Sequence, residues 1–68
     1  MLSARNQIPG VVKSVKLGSV MAEVVIAVGD VELVSAITRG SAEALGLRPG
    51  DQVSAVIKST EIMIDKAV

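Results

Sequence analysis

Three polar islands remain once turn residues and isolated surface charges are set aside: Ser3 with Arg5, Thr38 with Ser41, and Lys58-Ser59-Thr60. Each is made of hydrogen-bond donors, and none contains a carboxylate. Hydroxyls, a guanidinium and an ammonium are the set a small oxyanion needs, because bonds from charged donors to anionic oxygen are the strong ones. Ser41 also reads as the N-cap of a short helix, whose first free N–H groups and positive dipole end favour negative charge. Singly, each island has a plainer role: a polar start to the chain, a helix cap, an edge-strand charge that discourages aggregation. Their shared donor character points to anion binding.

The same residues give little support to catalysis. General acid–base chemistry wants two carboxylates held together. Glu23, Asp30, Glu32, Glu43, Asp51, Glu61 and Asp65 are scattered over separate strands and turns. Lys58 and Ser59 are adjacent, and neighbours on a strand point to opposite faces, which disfavours a Ser–Lys dyad. The chain has no histidine and no cysteine, so it holds no Ser–His or Cys–His nucleophile, no disulfide and no usual zinc site. There is no GxxxxGK phosphate loop. We expect a non-enzyme without a cofactor or protein-held metal.

Glycines mark the elements that must position these islands. Gly18-Ser19 and Gly29-Asp30 each separate two apolar runs, and Gly followed by Ser or Asp suits a II′ hairpin turn. This predicts strands over about 4–17, 20–28 and 31–38. Ser41-Ala42-Glu43-Ala44 then reads as a helix over about 41–45, stopped by Gly46 as a left-handed C-cap. Arg48-Pro49-Gly50-Asp51 fits a type II turn, and strands over about 52–58 and 60–66 follow. The fold class expected is all-β: a five-stranded OB-like Greek-key barrel with one short helix between strands 3 and 4, forming one domain over 1–68.

A chain of 68 residues buries a small core, and with disulfides and metals removed, oligomerisation is the remaining support. Half the residues are apolar and none is aromatic. The second strand, AEVVIAV, is apolar on both alternations except at Glu23, so both of its faces are expected to be covered, one of them by another subunit. Seven basic residues balance seven acidic ones, which argues against nucleic acid as a partner, as do the missing aromatics. No apolar run reaches the roughly 18 residues of a membrane span. The first residues lack a signal peptide's apolar segment, so a cytoplasmic location is expected.

SARNQ followed by GVV, then AEVV, AITRGSAEALGL, and GDQVSAVIKST with a short last strand resembles the molybdate-binding Mop domain, in its single-domain molbindin form. The resemblance runs from Ser3 to about Asp65. It implies an OB-like barrel that assembles as a hexamer, a trimer of dimers, and binds molybdate or tungstate between subunits for storage or buffering. By motif position it assigns anion contacts to Ser3, Arg5, Thr38, Ser41, Lys58 and Ser59, with Ala4 and Asn6 adding backbone N–H groups. The metal enters only as the oxyanion, and the KST segment is expected from a different chain than SARNQ. The alternative in the same family is an oxyanion-sensing module of a molybdate transporter ATPase or a transcription regulator.

Overall fold

The computed structural model describes residues 6–66. Four antiparallel strands, β1 (Asn6–Leu17), β2 (Met21–Val28), β3 (Val31–Thr38) and β4 (Gln52–Ile57), form one sheet in the order β3-β2-β1-β4. A helix, α1 (Arg39–Leu45), joins β3 to β4, and a single 3₁₀ turn over Ser59–Glu61 follows β4. The sheet is a curled half-barrel: all-β as expected, with four strands where a five-stranded barrel was expected.

The curl is built into β1. Its first half pairs with β4, from Asn6↔Ile57 to Val11↔Gln52, and its second half with β2, from Val11↔Ala27 to Leu17↔Ala22. A bulge between Val12 and Ser14 adds twist at the changeover. Gly10 sits just before it, where an added Cβ would lie 2.6 Å from Ile26 Cγ2 and 2.8 Å from the Ala27 carbonyl oxygen. Pro9 is tolerated next door. Val12 N–H donates to the Asp51 carbonyl, and bonded pairs recur at every second residue, so Pro9↔Ser54 is a non-bonded pair and no ladder bond is lost.

Val12, Val24 and Ile26 form the core on the concave face, with Leu33, Ile37, Leu47, Val53 and Ala55 packed partly buried around them. Ala22 and Ala42 are the other buried apolar side chains among the described residues. On the convex face, Val25 is half-buried and its cross-strand partner Val34 is 67% exposed. Thus one alternation of β2 is buried by its own chain and the other is not.

Three turns follow their local chemistry. Val28↔Val31 closes a two-residue loop in which Gly29 has φ 57 and Asp30 does not enter positive φ, the φ signs of a II′ turn. Gly46 ends α1 at φ 61 and donates to the Ala42 and Glu43 carbonyls. Gly50 takes φ 95 in the Arg48–Asp51 turn, closed by Asp51 N–H on the Arg48 carbonyl at 3.1 Å.

Three expectations are corrected. Gly18 is not at positive φ, so Gly18-Ser19 is no II′ turn. The strands part after Leu17↔Ala22, and Gly18 N–H reaches across a wider loop to the Met21 carbonyl at 2.7 Å. The cause is tertiary: Arg39 donates from its backbone N–H to the Val20 carbonyl and from Nη1 to the Gly18 carbonyl. Second, α1 begins at Arg39, and Thr38 is its N-cap, accepting from Ser41 N–H at 3.1 Å. Ser41 lies inside the first turn. Third, no fifth strand forms over 60–66 among the described residues. Ile62 is extended, at φ −94 and ψ 117, but the segment joins no sheet ladder among the described residues, and Met63 and Ile64 are 94% and 92% exposed. The concave face opens as an apolar groove of about 740 Å³ between the free edges of β3 and β4.

Candidate functional site

The β1–β4 register decides which islands meet. Asn6 pairs with Ile57, and its side-chain Nδ2 donates to the Ile57 carbonyl at 3.3 Å, across 51 residues of sequence. The residue that follows SAR is therefore fixed beside the residue that precedes Lys58-Ser59. Ser3, Ala4 and Arg5 lie outside the described residues. One chain's own sheet brings the two motifs together at Asn6, where the sequence reading drew SARNQ and KST from different chains.

Lys58 leaves the sheet and heads the 3₁₀ turn, with φ −63 and ψ 137. Its carbonyl accepts Glu61 N–H at 2.9 Å, and Ser59 is the turn's first residue. Both are exposed. Among the described residues, no carboxylate pairs with the Lys58 ammonium: the ion pairs run Lys13–Glu32 and Arg39–Glu43. Glu61 is the nearest acid in sequence and makes no such bond.

Thr38 and Ser41 stand at the other end of the strands. Thr38 pairs with Met21, next to Ala22, which pairs with Leu17 at the end of β1. Roughly 35 Å of strand separates Leu17 from Asn6. Thr38 Oγ1 donates to Ser41 Oγ at 2.8 Å while accepting Ser41 N–H, so the Ser41 hydroxyl keeps its own proton to donate. Within one chain, then, Asn6, Lys58 and Ser59 come together and Thr38 and Ser41 do not join them.

Two residues carry roles that the sequence reading did not assign. Arg39 ties α1 to the Gly18 loop and pairs with Glu43 at 3.3 Å, and its i,i+4 spacing to Glu43 was the available signal. Asn6 works through its side chain, whereas sequence alone offered only its backbone N–H. Among the described residues no group of three or more His, Cys, Asp or Glu side chains could hold a metal ion, and no helix is long and apolar enough to cross a membrane. A tetrahedral anion suits the donor set at the Lys58 end: an ammonium, a hydroxyl and turn amides, with no competing ion pair among the described residues.

The TOBE domain family matches residues 2–64. The chain belongs to that family. Molybdenum-pterin-binding protein 3 of Clostridium pasteurianum is 48% identical over 64 residues, covering 93% of this chain and 94% of that one. The high-resolution structure of a molybdate-binding protein from Sporomusa ovata superposes with a TM-score of 0.93 at 42% identity, covering 97% of this chain and 98% of that one. The Mop resemblance and the OB-like fold class are thereby borne out for this TOBE-family chain. Molybdenum transport protein ModE of Azotobacter vinelandii is 41% identical over 63 residues, 91% of this chain and 23% of that protein. These relatives' names describe binding and transport, and none names a reaction.

Proposed function

We propose that the chain binds molybdate or tungstate in the cytoplasm and stores or buffers the oxyanion, doing no chemistry on it. The observation that carries this reading is the Asn6–Ile57 pairing, which sets the end of SARN beside Ser59 and a Lys58 that pairs with no carboxylate among the described residues. Ser3, Ala4, Arg5 and Asn6 act with Lys58 and Ser59 at one end of the sheet. Thr38 and Ser41, remote in the same chain, face that end from a neighbouring copy. A homo-oligomer, a hexamer built as a trimer of dimers, supplies that neighbour. The half-uncovered β2–β3 face, the open groove and the exposed Ile62–Ile64 segment all support an assembly of like chains.

The donor-only character of the shell makes an anion order the test. Hydrogenphosphate carries a proton and needs an acceptor, but Arg5 and Lys58 only donate. The hydroxyls accept only by giving up a bond to the anion. Molybdate and tungstate are unprotonated at neutral pH and present four accepting oxygens. Sulfate is unprotonated but smaller, and each donor left unsatisfied costs about 1–3 kcal/mol. Competition calorimetry at pH 7.5 should give tungstate about equal to molybdate, then sulfate, then phosphate. Phosphate binding within about tenfold of molybdate would place an acceptor in the shell and refute the donor-only site.

The ModE match favours a second reading, in which this domain senses the oxyanion for a regulatory partner. A store takes up and releases molybdate by itself; a sensor changes its partner's activity when the anion binds.

A further inference from the structure

We infer that Asn6 is a positioning residue for the oxyanion: its carboxamide holds the Ile57–Lys58 peptide so that the Lys58 N–H faces away from β1 as a donor beside the Lys58 ammonium. This rests on the oxyanion reading above and adds a specific backbone donor and its support.

The geometry runs through one peptide plane. The Ile57 carbonyl is turned toward β1, where Asn6 Nδ2 donates to it at 3.3 Å in a partly buried contact. A carbonyl only accepts, so the amide nitrogen of Asn6, not its oxygen, must face it. Peptide planes here are trans, so the N–H of Lys58 lies opposite the Ile57 carbonyl and is turned from β1. Asn6↔Ile57 falls on the hydrogen-bonded positions of the ladder, two-residue steps from Val12, which gives the plane the same orientation independently. The far side of Lys58 is held as well, because its carbonyl accepts Glu61 N–H at 2.9 Å. Lys58 is thus fixed at both flanking carbonyls, while its N–H and ammonium are committed to neither bond. Two donors from one residue, one rigid and one on a flexible stem, suit adjacent oxygens of a tetrahedral dianion.

Calorimetry and ¹H–¹⁵N spectra of the full chain with sodium molybdate test this, with Asn6→Ala and Asn6→Asp as variants. The wild-type Lys58 amide resonance should shift on saturation. Asn6→Ala should bind about 3- to 10-fold more weakly, with a smaller Lys58 shift and a melting temperature near wild type. Asn6→Asp, which keeps the shape but cannot donate to the Ile57 carbonyl, should bind at least as weakly as Asn6→Ala. A strand-zipping role alone would lower the melting temperature and leave affinity and the Lys58 shift unchanged, and that result overturns the inference while the oxyanion reading stands. No molybdate heat from the wild type removes the reading, and the inference with it.

Discussion

Lys58→Ala should lower molybdate affinity by about 10- to 150-fold, the loss expected for one hydrogen bond to a charged group. Lys58 carries an ammonium that no carboxylate neutralises among the described residues, at the place where β1 begins and β4 ends. Its removal takes away both charge and donor, while the backbone around it is held by Asn6 and Glu61. Folding should therefore be little changed, since an exposed side chain is lost. Arg5→Ala is expected to act in the same direction on the proposed site. Glu32→Ala is the control: Glu32 pairs with Lys13 on the exposed face, a contact worth about 1 kcal/mol or less. Calorimetric titration of the variants side by side checks the assignment. If Glu32→Ala weakens binding as much as Lys58→Ala, the anion sits elsewhere.

Gly10→Ala should be the most damaging small substitution for stability. A methyl group there meets the Ala27 carbonyl at 2.8 Å as well as Ile26 and Val28 side chains at 2.6 and 3.0 Å. Side chains can turn aside, but the carbonyl belongs to β2 and moves only with the strand. Overpacking of this kind costs about 1–3 kcal/mol. Relief from the lower entropy of an unfolded alanine offsets at most about 1 kcal/mol. A domain of this size has roughly 3–10 kcal/mol in all, so the loss is a large share. Gly10→Val, with two more methyl groups, should not fold at all. Thermal melts by far-ultraviolet circular dichroism measure both, and a Gly10→Ala melt equal to wild type would show that β1 and β2 separate easily at the corner.

Much of the architecture was legible because it is written in local chemistry. Gly29, Gly46 and Gly50 each stand where a turn needs positive φ, and those three turns form as read. What escaped the reading depended on distant partners. Gly18 has the same local signal as Gly29, but Arg39, far along the chain, draws the loop open. Thr38 and Ser41 are both good capping residues. The helix starts at the earlier one because Arg39 is anchored to Val20 at its first backbone N–H. The Ile62–Ile64 segment has the apolar character of a strand, but pairing needs an edge to pair with, and composition does not say whose. The site divides in the same manner. Donor chemistry marked Lys58, Ser59, Thr38 and Ser41 from residue type alone. Only the twelve-residue length of β1 reveals that they stand at opposite ends.

The exposed Ile62-Met63-Ile64 segment and the unfilled groove between β3 and β4 have a consequence for how the protein comes into being. If like chains cover both, the last step of folding is a collision between two polypeptides. Refolding should then speed up with protein concentration, and mere dilution should act as a denaturant, because mass action ties the folded population to the concentration of partners. Stopped-flow refolding across a hundredfold range of concentration would read the order of that step. A cell making this chain slowly would hold it unfinished, its apolar end uncovered, until a second copy arrived.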